Sequence, residues 1–77
     1  MPTILRYGPY RFFFYSNENG EPAHIHVERD DKAAKFWLVP VSLADNIGFA
    51  ARELRDIILI VNEHQSMMSK AYHEFHG

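Results

Sequence analysis

The chain contains no cysteine, so neither a disulfide framework nor a thiolate metal site is available to it. It also has no apolar run approaching the ~18 residues that a membrane-spanning helix requires. Charge of either sign is scarce in excess: 8 Lys+Arg against 10 Asp+Glu give a formal net charge of −2. That balance argues against strong non-specific nucleic-acid binding through bulk electrostatics, though not against a locally basic face. There is no internal repeat and no low-complexity segment. At 77 residues the chain is too short for a Rossmann unit, a TIM barrel or a protease, which need roughly 100 to 250 residues. The opening MPTILRYG has no signal-peptide features, so a cytoplasmic location is expected.

What remains is one small domain over 1–77, 47% hydrophobic and 14% aromatic, too rich in both for disorder. A domain of this size buries only about 60% of its unfolded surface, so stabilisation by an oligomer or a partner is expected.

The front half reads as strands. Thr3 to Tyr7 is a short candidate closed by Gly8-Pro9, and Tyr10 to Tyr15 is dense in residues suited to a pleated surface. Ser16 to Pro22 collects turn residues and reads as a loop. Ala23 to Arg29 alternates, Asp30-Asp31 turns, Lys32 to Val39 forms a third main strand, and a short strand follows near Val41 to Leu43. The back half reads as helix: Leu54, Ile58, Val61, Gln65, Met68, Tyr72 and Phe75 step by three or four over about 51–75. A single rod of that length would run ~37 Å, too long for the globule, so a bend or split is expected at Asn62-Glu63-His64. Ile57 to Val61 is apolar all round, which makes Leu59 and Ile60 either an oligomer contact or the seat of a second helix folded back. The fold class is therefore α+β: a three- to four-stranded antiparallel sheet with a C-terminal helix, bent or split, packed on one face.

Strand parity sorts the side chains into two sets. Phe12, Phe14, Ile25, Val27, Ala34, Phe36 and Leu38 should pack under the helix. Arg11, Phe13, Tyr15, His24, His26, Glu28, Lys35 and Trp37 should form an open face, able to stack bases and meet phosphate or to dock a protein. His24 and His26 lie about 6.6 Å apart along one strand. Adjacent imidazoles disfavour each other's protonation, the pairing that general acid and general base need, with Arg11 or Lys35 to stabilise phosphate charge. The alternative reading is that the same imidazoles simply cover part of the face. Chelation by the pair needs a third ligand from elsewhere, since Glu28 lies ~13 Å from His24 along the strand, so no metal ligand and no cofactor is assigned. His64, His73 and His76, in the helical half, carry no assignment.

The run MPTILRYGPYRFFFYSNENGEPAHIHVER, then NIGFAARELRDI and the ending AYHEFHG, resembles the small bacterial domain-of-unknown-function family 4160 over nearly the whole chain. Its most specific parts are MPTI, EPAHIHVER and the Gly48-Phe49 step into the helix. Members approach the paired histidines through Pro-Pro-His or Pro-His, whereas here Ala23 follows Pro22; Ala50 stands where many carry Ser or Thr, which removes a capping box. The resemblance implies a small sheet with C-terminal helix and membership of two-gene toxin–antitoxin-like modules beside a partner of another family. It picks out Arg11, Tyr15, His24, His26, Glu28 and Arg29 without catalytic assignments. The leading expectation is a module component, the toxin, acting on RNA: His24, His26 and Arg11 catalytic, with Tyr15, Glu28, Arg29, Lys35 and Trp37 binding. The alternatives are a non-catalytic module that docks its cognate protein, and a metal-dependent hydrolase.

Overall fold

The computed structural model describes residues 3–15 and 20–76. Five strands precede two helices: β1 (Thr3–Tyr7), β2 (Tyr10–Phe13), β3 (His24–Arg29), β4 (Lys32–Leu38), β5 (Val41–Ile47), α1 (Ala51–Glu63) and α2 (Gln65–His76). The strands form one antiparallel meander in chain order, β1-β2-β3-β4-β5. Of the loop expected over Ser16–Pro22, residues 16–19 lie outside the described residues. Among the described residues no helix is long and apolar enough to cross a membrane.

Three of the four strand connections are two-residue loops, and their residues explain them. Gly8 has φ of 57°, which lets Gly8-Pro9 return the chain from Tyr7 to its partner Tyr10. Asp30 likewise takes φ of 56° between the paired Arg29 and Lys32. Val39-Pro40, joined by a cis peptide bond, separates Leu38 from its partner Val41.

The strand count corrects the expectation of three or four. β5 runs on to Ile47, beyond the expected Leu43, although Ala44, Asp45 and Asn46 have weak strand propensity. Pairing with β4 holds it, Ala33 opposite Ile47 and Lys35 opposite Asp45, across a register shift that leaves Ala44 without a partner. Asn46 then braces the exit: its side chain accepts from Phe49 N–H at 3.1 Å and donates to Phe49 carbonyl at 3.0 Å. Gly48 between them has φ of 94°, which strains any other residue, and a Cβ there would also crowd Lys32 Cγ at 3.1 Å.

The seven residues expected in the core are all buried, beneath Phe49, Ile57, Ile60, Val61, Met68 and Tyr72. The helical segment is split at His64 (φ −110°, ψ 16°). There Asn62 Nδ2 donates to Ile58 carbonyl and His64 Nδ1 to Ile60 carbonyl, side-chain bonds that compete with the helical ladder. The split lets α2 turn back so that Met68 and Tyr72 reach the same core. Ile60 is only 8% exposed while Leu59 is 66% exposed. Of the two residues expected either to meet a second copy or to lie under a folded-back helix, Ile60 is in the core and Leu59 faces out.

The N-cap of α1 is Ala50, in extended conformation and with no side-chain cap. Its replacement by serine places a hydroxyl where it can accept from the first-turn N–H groups. Ala50→Ser is expected to stabilise the domain by roughly 0.5–2 kcal/mol, read as a rise of a few degrees in the thermal midpoint. An unchanged or lower midpoint counts against an uncapped helix start.

Candidate functional site

Register across the meander assembles the second set of side chains into rows on one face. Thr3, Phe13, His26, Lys35 and Asp45 form one row. Arg6, Arg11, Glu28, Ala33 and Ile47 form the next, and His24 and Trp37 are paired on the other side. Both helices contribute to the hydrocarbon core on the opposite face.

His26 is the half-buried centre of this face. Its ring lies near-parallel to Phe13 at 5.6 Å, and Tyr15 meets it edge-on at 4.6 Å. His24 is placed differently from expectation. It is 0% exposed, its Nδ1 donates to Pro22 carbonyl at 2.8 Å, and its ring packs against Tyr72 at 5.2 Å and Trp37 at 5.9 Å. The face is thus not open along its length. Tyr72 comes over the end of the sheet from α2 and seals His24, and Phe13 is 2% exposed beneath the Arg11 guanidinium, 4.5 Å from its ring centre. The two imidazole centroids are 5.2 Å apart, but only His26 reaches the surface.

The cations are engaged within the protein. Arg11 Nη1 pairs with Glu28 at 2.7 Å and its Nε donates to Thr3 Oγ1 at 2.8 Å. Lys35 Nζ pairs with Glu21 at 2.5 Å and sits 4.6 Å from the Trp37 ring centre. On this face lies a depression of about 200 Å³ lined by Tyr15, His26, Ala33, Ala34, Lys35, Asp45 and Ile47. The structure therefore brings together Tyr15, His26 and Lys35, places Arg11, Glu28 and Trp37 on their flanks, and withdraws His24.

Arg29 lies on the other face. It shares the parity of Ile25 and Val27 and grips Glu53 of α1 through Nε at 2.5 Å and Nη2 at 2.7 Å. Tyr10 donates to the same carboxylate at 2.7 Å. This cluster ties the sheet to the first turn of α1. The bonds from Arg29 and then Tyr10 hold the Glu53 carboxyl below the usual carboxylate range. Burial, followed by the bond to Glu53, pushes the Tyr10 phenol up to about 12. A depressed carboxyl stabilises the fold above its unfolded pKa, about 4.3, and loses that contribution as pH falls through its folded value. A raised phenol stabilises below its unfolded pKa of about 10 and loses that contribution as pH climbs towards 12. Thermal melts are accordingly expected to weaken at both extremes, and Glu53→Gln to lower the neutral-pH midpoint while flattening the acid limb. An acid limb unchanged in Glu53→Gln would remove the cluster from the explanation.

Sequence reasoning did not find Asp45, Ile47, Glu21 or Tyr72. Asp45 and Ile47 depend on the bulge in β5, which shifts alternation, and Tyr72 reads as an ordinary core position. Yet Tyr72 and His76, one turn apart, hold both segments beside the depression. Tyr72 hydroxyl donates to Glu21 carbonyl at 3.1 Å, and His76 Nε2 lies 3.1 Å from Tyr15 carbonyl. Among the described residues no group of three His, Asp or Glu side chains is placed to hold a metal ion.

No curated protein and no solved structure matches the chain. A family model, described as a domain of unknown function (DUF4160), matches residues 10–73. That span takes in every residue of the site from Arg11 to Ile47 and the clasp residue Tyr72, and the chain belongs to the DUF4160 family.

Proposed function

We propose that the chain is one component of a two-gene toxin–antitoxin-like module and that it works by docking the cognate module protein on its His26 face. The observation that carries this reading is the burial of His24. With its Nδ1 committed to Pro22 and its ring sealed by Tyr72, His24 is a poor partner for an acid–base couple, whereas Tyr15, His26 and the depression beside them offer a half-buried aromatic surface. Aromatic anchors in a recessed patch rimmed by charges are what protein interfaces concentrate their binding energy on. The cations nearest the patch, Arg11 with Glu28 and Lys35 with Glu21, are already paired, which favours a protein partner over a polyanion.

The test is co-purification of the chain with the product of its neighbouring gene, for the wild type and for Tyr15→Ala. Loss of the complex at unchanged thermal stability supports docking through this face; retention of the complex overturns it.

A second reading, a toxin acting on RNA, draws on one specific feature. Tyr15 is 40% exposed and edge-on to His26, and Lys35 lies cross-strand from that imidazole, an arrangement able to stack a base beside a cation. In that version His26 carries the proton transfers alone. Growth arrest on expression, relieved by His26→Gln together with loss of RNA cleavage, would favour this reading over docking.

A further inference from the structure

The depression beside His26 has a chemistry more specific than an apolar patch. Its floor is Ala33 and the β4 backbone at Ala34, and one wall is the aliphatic Ile47, 62% exposed. The facing wall is Tyr15 with His26, and the remaining lining is charged: Lys35 and Asp45. The two charges are not equivalent. Lys35 Nζ is drawn away to Glu21 and lies over Trp37, so its charge is compensated. Asp45 accepts only from the N–H of Asn46 at 2.9 Å, and among the described residues no cation pairs with it. The depression thus holds one carboxylate with no ion-pair partner among the described residues, beside an aromatic ring and over small apolar residues.

We infer that this depression receives a single arginine side chain of the docked partner, its guanidinium paired with Asp45 and lying against Tyr15, its methylenes on Ala33 and Ile47. Arginine fits better than lysine because the planar guanidinium combines a two-point bond to a carboxylate with stacking on an aromatic ring. The volume of about 200 Å³ suits one long side chain and is too small for a helix or a strand. The formal charge of −2 agrees in sign with a basic partner. The inference rests on the docking reading and goes beyond it by naming what the partner must present.

The probes are N-acetyl-arginine amide and its uncharged isostere N-acetyl-citrulline amide, titrated into the isotope-labelled protein by NMR. The expected result is saturable shifts at Ile47, Tyr15 and Asp45 with the arginine compound and none with citrulline. Asp45→Asn, an exposed substitution that keeps the shape, should weaken the arginine probe roughly fivefold, the size an exposed ion pair supports. Absence of saturable shifts, equal binding of citrulline, or full affinity in Asp45→Asn overturns the inference. Tighter binding of a nucleoside monophosphate at the same resonances overturns it too, in favour of the RNA reading. These probes report on the depression alone, so their failure is separable from failure of docking, which appears as a complex that survives Tyr15→Ala.

Discussion

Replacing Tyr72 by alanine is expected to cost about 3–5 kcal/mol of folding stability, a large share of what a domain of this size possesses. Tyr72 is 4% exposed and touches a residue of each face of the sheet, Phe14 and His24. Its ring contacts Phe14 at 5.4 Å, His24 at 5.2 Å and His76 at 4.1 Å, and its hydroxyl holds Glu21 carbonyl. Truncation leaves a cavity bordered by a buried imidazole, and water entering there would loosen the Pro22–His24 bond. The thermal midpoint should fall by more than roughly 10 °C. Tyr72→Phe separates the two contributions, since it keeps the ring and removes only the bond to Glu21, worth about 1 kcal/mol. Fluorescence of Trp37, the single tryptophan, should change in the alanine variant because His24 packs edge-on against it. A Tyr72→Ala protein that melts within a few degrees of wild type would show that α2 does not seal this end of the sheet.

The second large effect is on binding. On the proposed docking, His26→Gln should weaken binding of the module partner by roughly 30-fold, the loss that marks a hot-spot residue, while leaving the thermal midpoint nearly unchanged. His26 is half-buried in the free protein between Phe13 and Tyr15, so docking completes its burial without demanding that the core move. Glutamine keeps a hydrogen-bonding tip but loses the flat ring that packs on both aromatics. Calorimetric titration of the partner into both proteins measures the difference, and equal affinities would place the interface elsewhere.

Much of this was legible before any coordinates. The alternation in β2, β3 and β4 is clean enough that every residue assigned to the hydrocarbon face is buried there, and the polar Asn62-Glu63-His64 marked the helix break. β5 was only half legible because Ala44, Asp45 and Asn46 give no strand signal and the register shift at Ala44 reverses the parity beyond it. For the same reason Asp45 could not be placed beside Lys35. The site was misread at His24 because a strand pattern states which face a residue takes, not what crosses the end of that face. Tyr72 does so from the far end of the chain. Arg29 shows the converse. Its parity with Ile25 and Val27 puts it on the helix side rather than with the binding residues, and no spacing in the sequence pairs it with Glu53 in the first turn of α1.

His24 and His26 are identical in type and two residues apart, yet one is a buried internal strut and the other reaches the surface that the proposed docking uses. Thermal midpoint and partner affinity measured side by side for His24→Gln and His26→Gln test that division most directly. The expected result is that His24→Gln lowers the midpoint, because a buried, carbonyl-bonded ring is lost, and that His26→Gln lowers affinity at an unchanged midpoint. A His24→Gln protein that melts like wild type, or a His26→Gln protein that binds its partner like wild type, would contradict it.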